Sequence, residues 1–316
     1  MDISFIIVNW NTRDLLRGCL DSIAITVKIP TYEIIVVDNA SSDGSTDMLA
    51  REYPSVQVIA NAENRGFGAA NNQAFAVMKG RYALLINTDA VLTEGAVEKL
   101  WRFAEAHPRA AIVCGQLLNA DGSKQNSVAA FPTLLSLCMN TSLLEYLFPG
   151  RYPSKRYEHR EPLEIESAIG ACMMVRGQAL TEVSYFDERY FFFFEETDLA
   201  YAMKRAGWAV YQVPDAHIYH FQGQSIGHNT QSRIEFYRSR YQFLRKWHGT
   251  AYYHAAAAVI FLRLLADVLL NAAGVLVTLG LAAGIRRRTP AALAGRTGGA
   301  AIGKRAAHVI GIRVVG

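Results

Sequence analysis

The apolar positions in the first third of the chain alternate between strand-like and helix-like periods. Ile3 to Val8 is a continuous apolar run of buried-strand length, followed by Asn9-Trp10-Asn11-Thr12 and a helical stretch from about Asp14 to Ile25. Tyr32 to Val37 is a second, β-branched run that ends in the turn-rich segment Asp38-Asn39-Ala40-Ser41-Ser42-Asp43-Gly44-Ser45. Val56 to Ala60 reads as a third strand, Gly66 to Lys79 as a helix closed by Gly80, and Tyr82 to Ile86 as a fourth strand. Strands separated by helices of this length predict βαβ units, hence an α/β fold with a mostly parallel, Rossmann-like sheet flanked by helices. Ligands in such sheets bind beyond the carboxyl ends of the strands. The loops after Val8, Val37, Ala60 and Ile86, all rich in Asn, Asp, Ser or Gly, are therefore the candidate site.

From about Gly115 to Glu166 the periodicity weakens, and the segment reads as loops and short elements shaping an acceptor site. Order returns from Ile169 to Gly207, with a short apolar run, Phe186-Asp187-Glu188-Arg189, four consecutive phenylalanines, and a helix from near Glu195 to Gly207. Phe236 to Trp247 interleaves aromatic residues with Arg238, Arg240, Arg245 and Lys246, the pattern of an interfacial helix. Between Thr250 and Ile285 the only charges are Arg263 and Asp267, spaced to pair on one helix face. Val268 to Ile285 carries no charge over 18 residues, enough for a transmembrane candidate, and Arg286-Arg287-Arg288 follows. A single span would put this triple Arg across the membrane from a body that also has basic flanks. A helical hairpin or in-plane helices, both ends cytoplasmic, is the expectation, with a buried C-terminal helix pair as the soluble alternative. The expected division is a domain over 1–228, a basic aromatic interfacial helix over 229–249, apolar membrane-associated helices over 250–288 and a basic tail over 289–316.

The 316 residues, 51% hydrophobic and 19% charged, suit a globular chain with a sizeable core. The net charge of +4 hides an asymmetry: from Arg286 onward there are seven Lys or Arg and no acid, so the rest is mildly acidic. A basic tail behind an apolar stretch points to anionic lipid and not to nucleic acid. Cys19, Cys114, Cys138 and Cys172 form no CxxC pair and read as small hydrophobes in a reducing compartment. The opening Met1-Asp2-Ile3-Ser4 has no basic n-region, and the run behind it is too short for a signal h-region. The expected location is the cytoplasmic face of a membrane.

Four constellations carry candidate chemistry. Asn87-Thr88-Asp89 follows an apolar strand, where a carboxylate can hold a divalent cation against a diphosphate, though the same triplet serves as a turn or helix N-cap. Glu195-Glu196-Thr197-Asp198 places three acids behind the phenylalanine run. They read either as acids favoured by a helix N-terminus or as a crowded carboxylate whose raised pKa suits a general base. His217 and His220 read either as metal ligands or as structural histidines. Asp38, with the loop Asn64-Arg65-Gly66-Phe67-Gly68-Ala69-Ala70-Asn71-Asn72, offers polar recognition and close backbone approach, but neither a G-x-G-x-x-G fingerprint nor a P-loop. Dinucleotide binding and ATP hydrolysis are disfavoured.

These motifs, in this order, resemble the family 2 glycosyltransferases, and within them the bacterial rhamnosyltransferase-like branch. The resemblance rests on Ile-Ile-Val-Asn-Trp-Asn-Thr, Val-Val-Asp-Asn-Ala-Ser-Ser-Asp-Gly-Ser, Asn-Arg-Gly-Phe-Gly-Ala-Ala-Asn-Asn and Ile-Asn-Thr-Asp. It continues through Gly170-Ala171-Cys172, Phe186-Asp187-Glu188-Arg189, Glu195-Glu196-Thr197-Asp198-Leu199 and Ala206-Gly207-Trp208, and covers roughly residues 1–248. It implies a GT-A fold and inverting, metal-dependent transfer of a sugar from a nucleoside diphosphate donor. By position, Asp38 would meet the nucleotide base with main chain around Val8 and Trp10 beside it, and Asn72 would help order the nucleotide-binding loop that carries Arg65. Asp89, beside Thr88, would hold Mg2+ or Mn2+ together with His220 in its His-x-x-Gly-x-Ser context. Glu196 matches the general base, with Glu195 the neighbouring candidate. The family usually has Asp at Glu196 and an acid at Asn87, so the base is one methylene longer and the cation has fewer protein charges. The implied donor is dTDP- or UDP-linked, with rhamnose expected by resemblance. The implied acceptor is a lipid-linked glycan in cell-surface polysaccharide or cell-wall synthesis. A sugar nucleotidyltransferase would want a Gly-rich, Arg-containing loop after the first strand, which Asn9-Trp10-Asn11-Thr12 is not. A catalytically inactive sugar-nucleotide-binding scaffold stays open because of Asn87 and Glu196.

Overall fold

The computed structural model describes residues 1–153, 159–221 and 230–288. The expected boundary at 228, the Gly-x-Ser part of the His220 motif and the basic tail over 289–316 lie outside the described residues. In chain order the first half holds β1 (Ile3–Asn9), α1 (Arg13–Thr26), β2 (Tyr32–Asp38), α2 (Ser45–Glu52), β3 (Gln57–Ala60), α3 (Phe67–Phe75), β4 (Tyr82–Ile86), β5 (Ala90–Leu92), α4 (Ala96–Ala106) and β6 (Ala110–Leu118). The second half holds β7 (Val128–Ala129), α5 (Leu134–Cys138), α6 (Thr141–Leu147), β8 (Leu163–Glu164), β9 (Ser167–Ala168), β10 (Cys172–Arg176), α7 (Gly177–Glu182), α8 (Glu195–Arg205), β11 (Ala209–His220) and α9 (Thr230–Arg288).

The main sheet runs β3-β2-β1-β4-β10-β6-β11-β5, with β8 also on β11. Its first four strands are parallel, as the βαβ spacing predicts. β10 then enters antiparallel between β4 and β6, and β11 returns parallel to β6, so the second half is mixed. Strand alternation sends Ile6, Ile35, Val37 and Leu85 to one face, under Ala70, Leu180, Leu199 and Phe243. Phe5, Ile7, Val36 and Leu84 go to the other, under Leu16, Leu20, Met48 and Leu100. Burial on both faces is why β1 and β4 read as unbroken apolar runs.

β11 shifts register against β6 between Val213 and His217. Gly115 makes room for that irregularity: a Cβ there would sit 2.2 Å from the Ala216 carbonyl oxygen. The bulge re-aims the last residues of β11, among them His220. The weakly periodic middle contains two short helices, started by local caps. Thr133 and Ser136 form a capping box on α5, and the Asn140 side chain accepts the Ser142 N–H at 2.8 Å on α6.

Packing of the body is continuous through Phe261. The first half of α9, up to a bend at Gly249 (φ 80°), is built into this core, with Phe243 and Leu244 fully buried. The aromatic and basic residues that suggest a membrane-surface helix over 229–249 serve intramolecular contacts instead. Phe236 and Phe243 pack on Phe194, and the Arg240 guanidinium lies 4.6 Å from the Phe236 ring. Lys246 Nζ donates to Asp198 Oδ2 at 2.6 Å and to Asp187 Oδ2 at 2.8 Å, and the Trp247 indole N–H donates to Asp198 Oδ1 at 2.6 Å. After Gly249 the helix is unbroken to Arg288, so the expected hairpin turn is absent from the described residues. No Pro interrupts this stretch, and its glycines are isolated. The second unit begins at Leu262, and its side chains from Leu262 to Val277 are largely exposed and apolar.

Asp198 is 3% exposed, so removal of its cation leaves a buried charge half-compensated. Lys246→Ala is expected to lower unfolding free energy by about 3 kcal/mol, measured by urea denaturation. Adding Asp198→Asn should recover part of that loss.

Candidate active site

The carboxyl ends of the parallel strands meet in a buried polar layer. Asn9 closes β1 opposite Asp38 of β2; its amide donates to Asp38 Oδ1 at 2.7 Å and to Ser41 Oγ at 3.0 Å. Asp38, 2% exposed, also accepts the Ser41 N–H through Oδ2 at 2.9 Å. Thr12 Oγ1 lies 2.8 Å from Asn9 Oδ1 and 2.9 Å from Thr88 Oγ1, joining the ends of β1 and β4. Beside this layer, Asn61 bridges Asn39 and Gln73, while the Asn39 amide donates to Asn64 and to the Gly66 carbonyl. Asp38 and Thr88 thus shape the floor, whereas Trp10, 49% exposed, and the exposed Arg65 remain open to a ligand. Val8 is half-buried, one residue before Asn9.

Strand pairing brings Asp89 and His220 together. β5 runs antiparallel to β11 with Ala90 opposite His220, and the Phe221 N–H donates to the Asp89 carbonyl at 2.8 Å. Both side chains are buried, with Asp89 Oδ1 3.4 Å from His220 Nε2, long for a hydrogen bond. Gln125 fixes the ring. Its Nε2 donates to Asn119 Oδ1 at 2.7 Å and to the His220 carbonyl at 2.6 Å, which turns Oε1 toward His220 Nδ1 at 3.0 Å. Nδ1 is therefore the donor to that oxygen, and Nε2 is the atom left facing the carboxylate. A carboxylate oxygen and an imidazole nitrogen suit a first-row divalent ion such as Mn2+, and neighbouring corners of an octahedral shell lie about 3 Å apart. The pair fits a cation with a small adjustment. Among the described residues no third His, Cys, Asp or Glu joins it, which leaves positions for substrate oxygens and water. His217 does not take part: three residues from His220 on a strand, it is exposed.

The three acids of α8 have three different surroundings. Phe193 and Phe194 both adopt positive φ (69° and 70°) and turn the chain into the helix. Asp198 accepts from Tyr190, Trp247 and Lys246 and anchors the fold. Glu195 is 4% exposed and its Oε2 has no hydrogen-bond partner among the described residues; burial, with the Glu196 charge beside it, holds its pKa well above the usual carboxylate range. Glu196 is half-buried, and burial pushes its pKa up to about 7 against the opposing pull of backbone hydrogen bonds. Glu196 lies against Gly170, where a Cβ would come within 3.6 Å of its Cγ. The next residue, Ala171, accepts the Asn87 N–H at 2.9 Å, so the 170–171 segment links Glu196 to the loop that carries Asp89.

Asn72 clasps these parts together. Its amide donates to the Phe186 carbonyl at 2.9 Å and to Glu188 at 3.1 Å, and its oxygen accepts the Phe186 N–H at 3.1 Å. The Phe67 N–H donates to the Phe191 carbonyl at 3.0 Å. The loop before α3 and the aromatic segment before α8 therefore order one another. Sequence reasoning did not find Gln125, Thr12 or Lys246. Gln125 is 95 positions from His220 and Lys246 is 48 from Asp198, and no local pattern marks either pair.

The family model described as Glycosyl transferase family 2 matches residues 4–184. The N-acetylglucosaminyl-diphospho-decaprenol L-rhamnosyltransferase of Mycobacterium tuberculosis is 29% identical over 257 residues, 77% of this chain and 83% of that protein. The poly(ribitol-phosphate) beta-glucosyltransferase of Bacillus spizizenii is 35% identical over 127 residues, 39% of this chain and 20% of that protein. Among solved structures, the mannosyltransferase PcManGT from Pyrobaculum calidifontis, in complex with GDP-Man and Mn2+, superposes with a TM-score of 0.58 at 18% identity, covering 90% of this chain and 80% of that one. The likeness to that structure is one of fold, and the fold is the GT-A type expected from the sequence.

Gln125→Leu removes the acceptor that orients His220. If Asp89 and His220 hold a cation, this substitution is expected to weaken Mn2+ binding by about 10–100-fold, read by calorimetry or by the electron paramagnetic resonance of free Mn2+.

Proposed function

This chain belongs to glycosyl transferase family 2, and from that premise we propose that it moves a sugar from a nucleoside diphosphate donor to a lipid-linked glycan with inversion at the anomeric carbon. The observation that carries this reading is Glu196, a half-buried carboxylate with its pKa near 7, held at the start of α8 against the 170–171 segment. Such a group is unprotonated often enough at neutral pH to act as a base, and basic enough to take a proton from an attacking hydroxyl. Burial and the Glu196 charge beside it raise the Glu195 pKa well above the usual carboxylate range, and Glu196, the more open of the two, is the one we assign as the base.

The buried layer of Asn9, Asp38, Thr12 and Thr88 forms the floor for the donor nucleotide, with Trp10 and Arg65 as its exposed contacts. Asn72 holds the loop before α3 against the segment that carries the base. Asp89 and His220 would hold a Mg2+ or Mn2+ ion, which when bound supplies positive charge for the departing diphosphate. Glu196 removes the acceptor proton as the hydroxyl oxygen forms its bond to the anomeric carbon, on the face opposite the breaking bond to the diphosphate. A single displacement of this kind inverts the configuration.

The M. tuberculosis relative is named for rhamnosyl transfer to a decaprenol-linked diphosphate sugar, which supports rhamnose as the sugar and a polyprenyl-linked acceptor; the donor in this reading is dTDP- or UDP-linked. The exposed apolar helix from Leu262 supports attachment to the membrane where such an acceptor resides; in this reading the body lies on the cytoplasmic side. These likenesses support a role in cell-wall or surface polysaccharide synthesis. A perturbed base at the site favours an active enzyme over an inert sugar-nucleotide-binding scaffold.

Purified full-length protein should release a nucleoside diphosphate, and not pyrophosphate, from one of a panel of sugar nucleotides when Mn2+ or Mg2+ is supplied. Glu196→Gln should lower turnover by about 10²–10⁴-fold, while Glu195→Gln, at the acid not assigned as the base, should stay within about tenfold of the parent enzyme. Turnover at low substrate should rise with pH, reach half its plateau near pH 7 and hold above it. An equal loss in the two variants, or a flat profile between pH 5 and 8, would overturn the assignment of the base.

A further inference from the structure

The apolar part of α9 carries a polar stripe that the proposed reaction does not use. The second unit begins at Leu262, and its residues through Thr278 are exposed. Every residue in this stretch is Leu, Val or Ala except Arg263, Asp267, Asn271, Gly274 and Thr278. At about 100° of turn per residue, these five positions fall within an arc of about 80°. The steps from Asp267 to Asn271, to Gly274 and to Thr278 are four, three and four residues, the spacing of a seam between paired helices. Leu269 and Leu276 lie on the opposite side.

Each member of the stripe suits a helix that packs against another. A charge or an amide on a helix in hydrocarbon is costly unless a neighbouring helix satisfies it. Among the described residues the unit from Leu262 contains no other helix. The Asn271 amide donates one hydrogen to the Asp267 carbonyl at 2.7 Å, which leaves its second N–H and its Oδ1 for a partner. A Cβ at Gly274 would meet nothing within 4 Å, so no contact inside the chain requires this glycine; in a seam it lets two backbones approach. The Thr278 hydroxyl is satisfied by the Gly274 carbonyl at 2.8 Å and adds only small size.

We propose that this stripe is a helix-pairing surface whose occupant is the same stripe of a second copy of this chain, the two helices running parallel within the membrane. The stripe is its own complement. It holds one base and one acid a turn apart, so a long Arg263 side chain can reach Asp267 of the second copy while Asp267 receives Arg263 in return. An amide donates and accepts, so Asn271 pairs with itself, and a single Asn in a seam fixes register and favours two strands. Copies of one chain enter a membrane from the same side and therefore meet parallel, the arrangement in which identical positions face each other. The pairing rests on the membrane attachment proposed above and not on the sugar-transfer chemistry.

Disulfide cross-linking of the full chain in phosphatidylethanolamine–phosphatidylglycerol vesicles, at low protein-to-lipid ratio, tests it. Cys138 is exposed and the other three cysteines are buried, so Cys138→Ser gives the background. On that background Thr278→Cys should form dimers, while Leu269→Cys and Leu276→Cys, equally exposed in one copy, should not. Adding Asn271→Leu to Thr278→Cys should weaken association by about 3–30-fold. A chain with Arg263→Glu carries two acids in the stripe and one with Asp267→Lys two bases. Mixed, these two should cross-link with each other in preference to either with itself. Flotation with the vesicles reads membrane attachment separately, and sugar-nucleotide turnover on the same preparation reads the reaction. Floating protein that does not cross-link at position 278, or cross-links alike at all three positions, overturns the pairing and leaves the attachment standing. Equal yields of the mixed and unmixed dimers overturn the second copy's charge match, and the proposal with it. Protein that does not float removes the attachment and the pairing together.

Discussion

Three carboxylates in the first turn of one largely buried helix are the constraint around which this protein is arranged. Helix geometry puts Glu195, Glu196 and Asp198 within one turn, and the surrounding aromatic residues withdraw water from all three. Three uncompensated buried charges would unfold the chain, so each is resolved differently. Asp198 is neutralised by Lys246 and hydrogen-bonded by Trp247 and Tyr190. Burial and the neighbouring Glu196 charge push the Glu195 pKa well above the usual carboxylate range. Glu196, alone with a partly open surface and backbone donors, is left on the edge of ionisation. The fold anchor, its deeply buried neighbour and the proposed base come from the same short acidic sequence.

That constraint explains why the first half of α9 belongs to the compact body. Lys246 and Trp247 are the partners that allow Asp198 to be buried, and Phe236 and Phe243 brace the left-handed backbone at Phe194 that aims α8. A helix that would otherwise seem a detachable membrane adaptor is thereby a structural part of the site. It also leads directly to the apolar stretch after Phe261, so the element that stabilises the acidic turn is the one that continues into the exposed apolar helix.

The pairing of Asp89 with His220 depends on strand register. Asp89 and His220 are 131 positions apart, and only the short antiparallel ladder between β5 and β11 sets one beside the other. The irregularity in β11, accommodated by Gly115, fixes which residues of its last turn face inward, and Gln125 then selects the ring nitrogen presented to Asp89. A strand and a loop thus do for the proposed cation site what α8 does for the base.

The sequence by itself determined the parallel half of the sheet, because runs buried on both faces leave a periodic signature that needs no knowledge of neighbours. It also indicated which loops would line the rim, because polar residues at the carboxyl ends of such strands have few other places to go. It could not reveal that β10 enters antiparallel, that Asp38 and Thr88 lie under the surface in a hydrogen-bonded floor, or that His217 and His220 face opposite ways. Each of these is decided by strand pairing between segments far apart in the chain. Nor did the three acids of α8 carry their separate characters in their letters. A carboxylate's protonation is set by what surrounds it, and those surroundings are assembled only when α9, the aromatic segment and the 170–171 turn close around the helix.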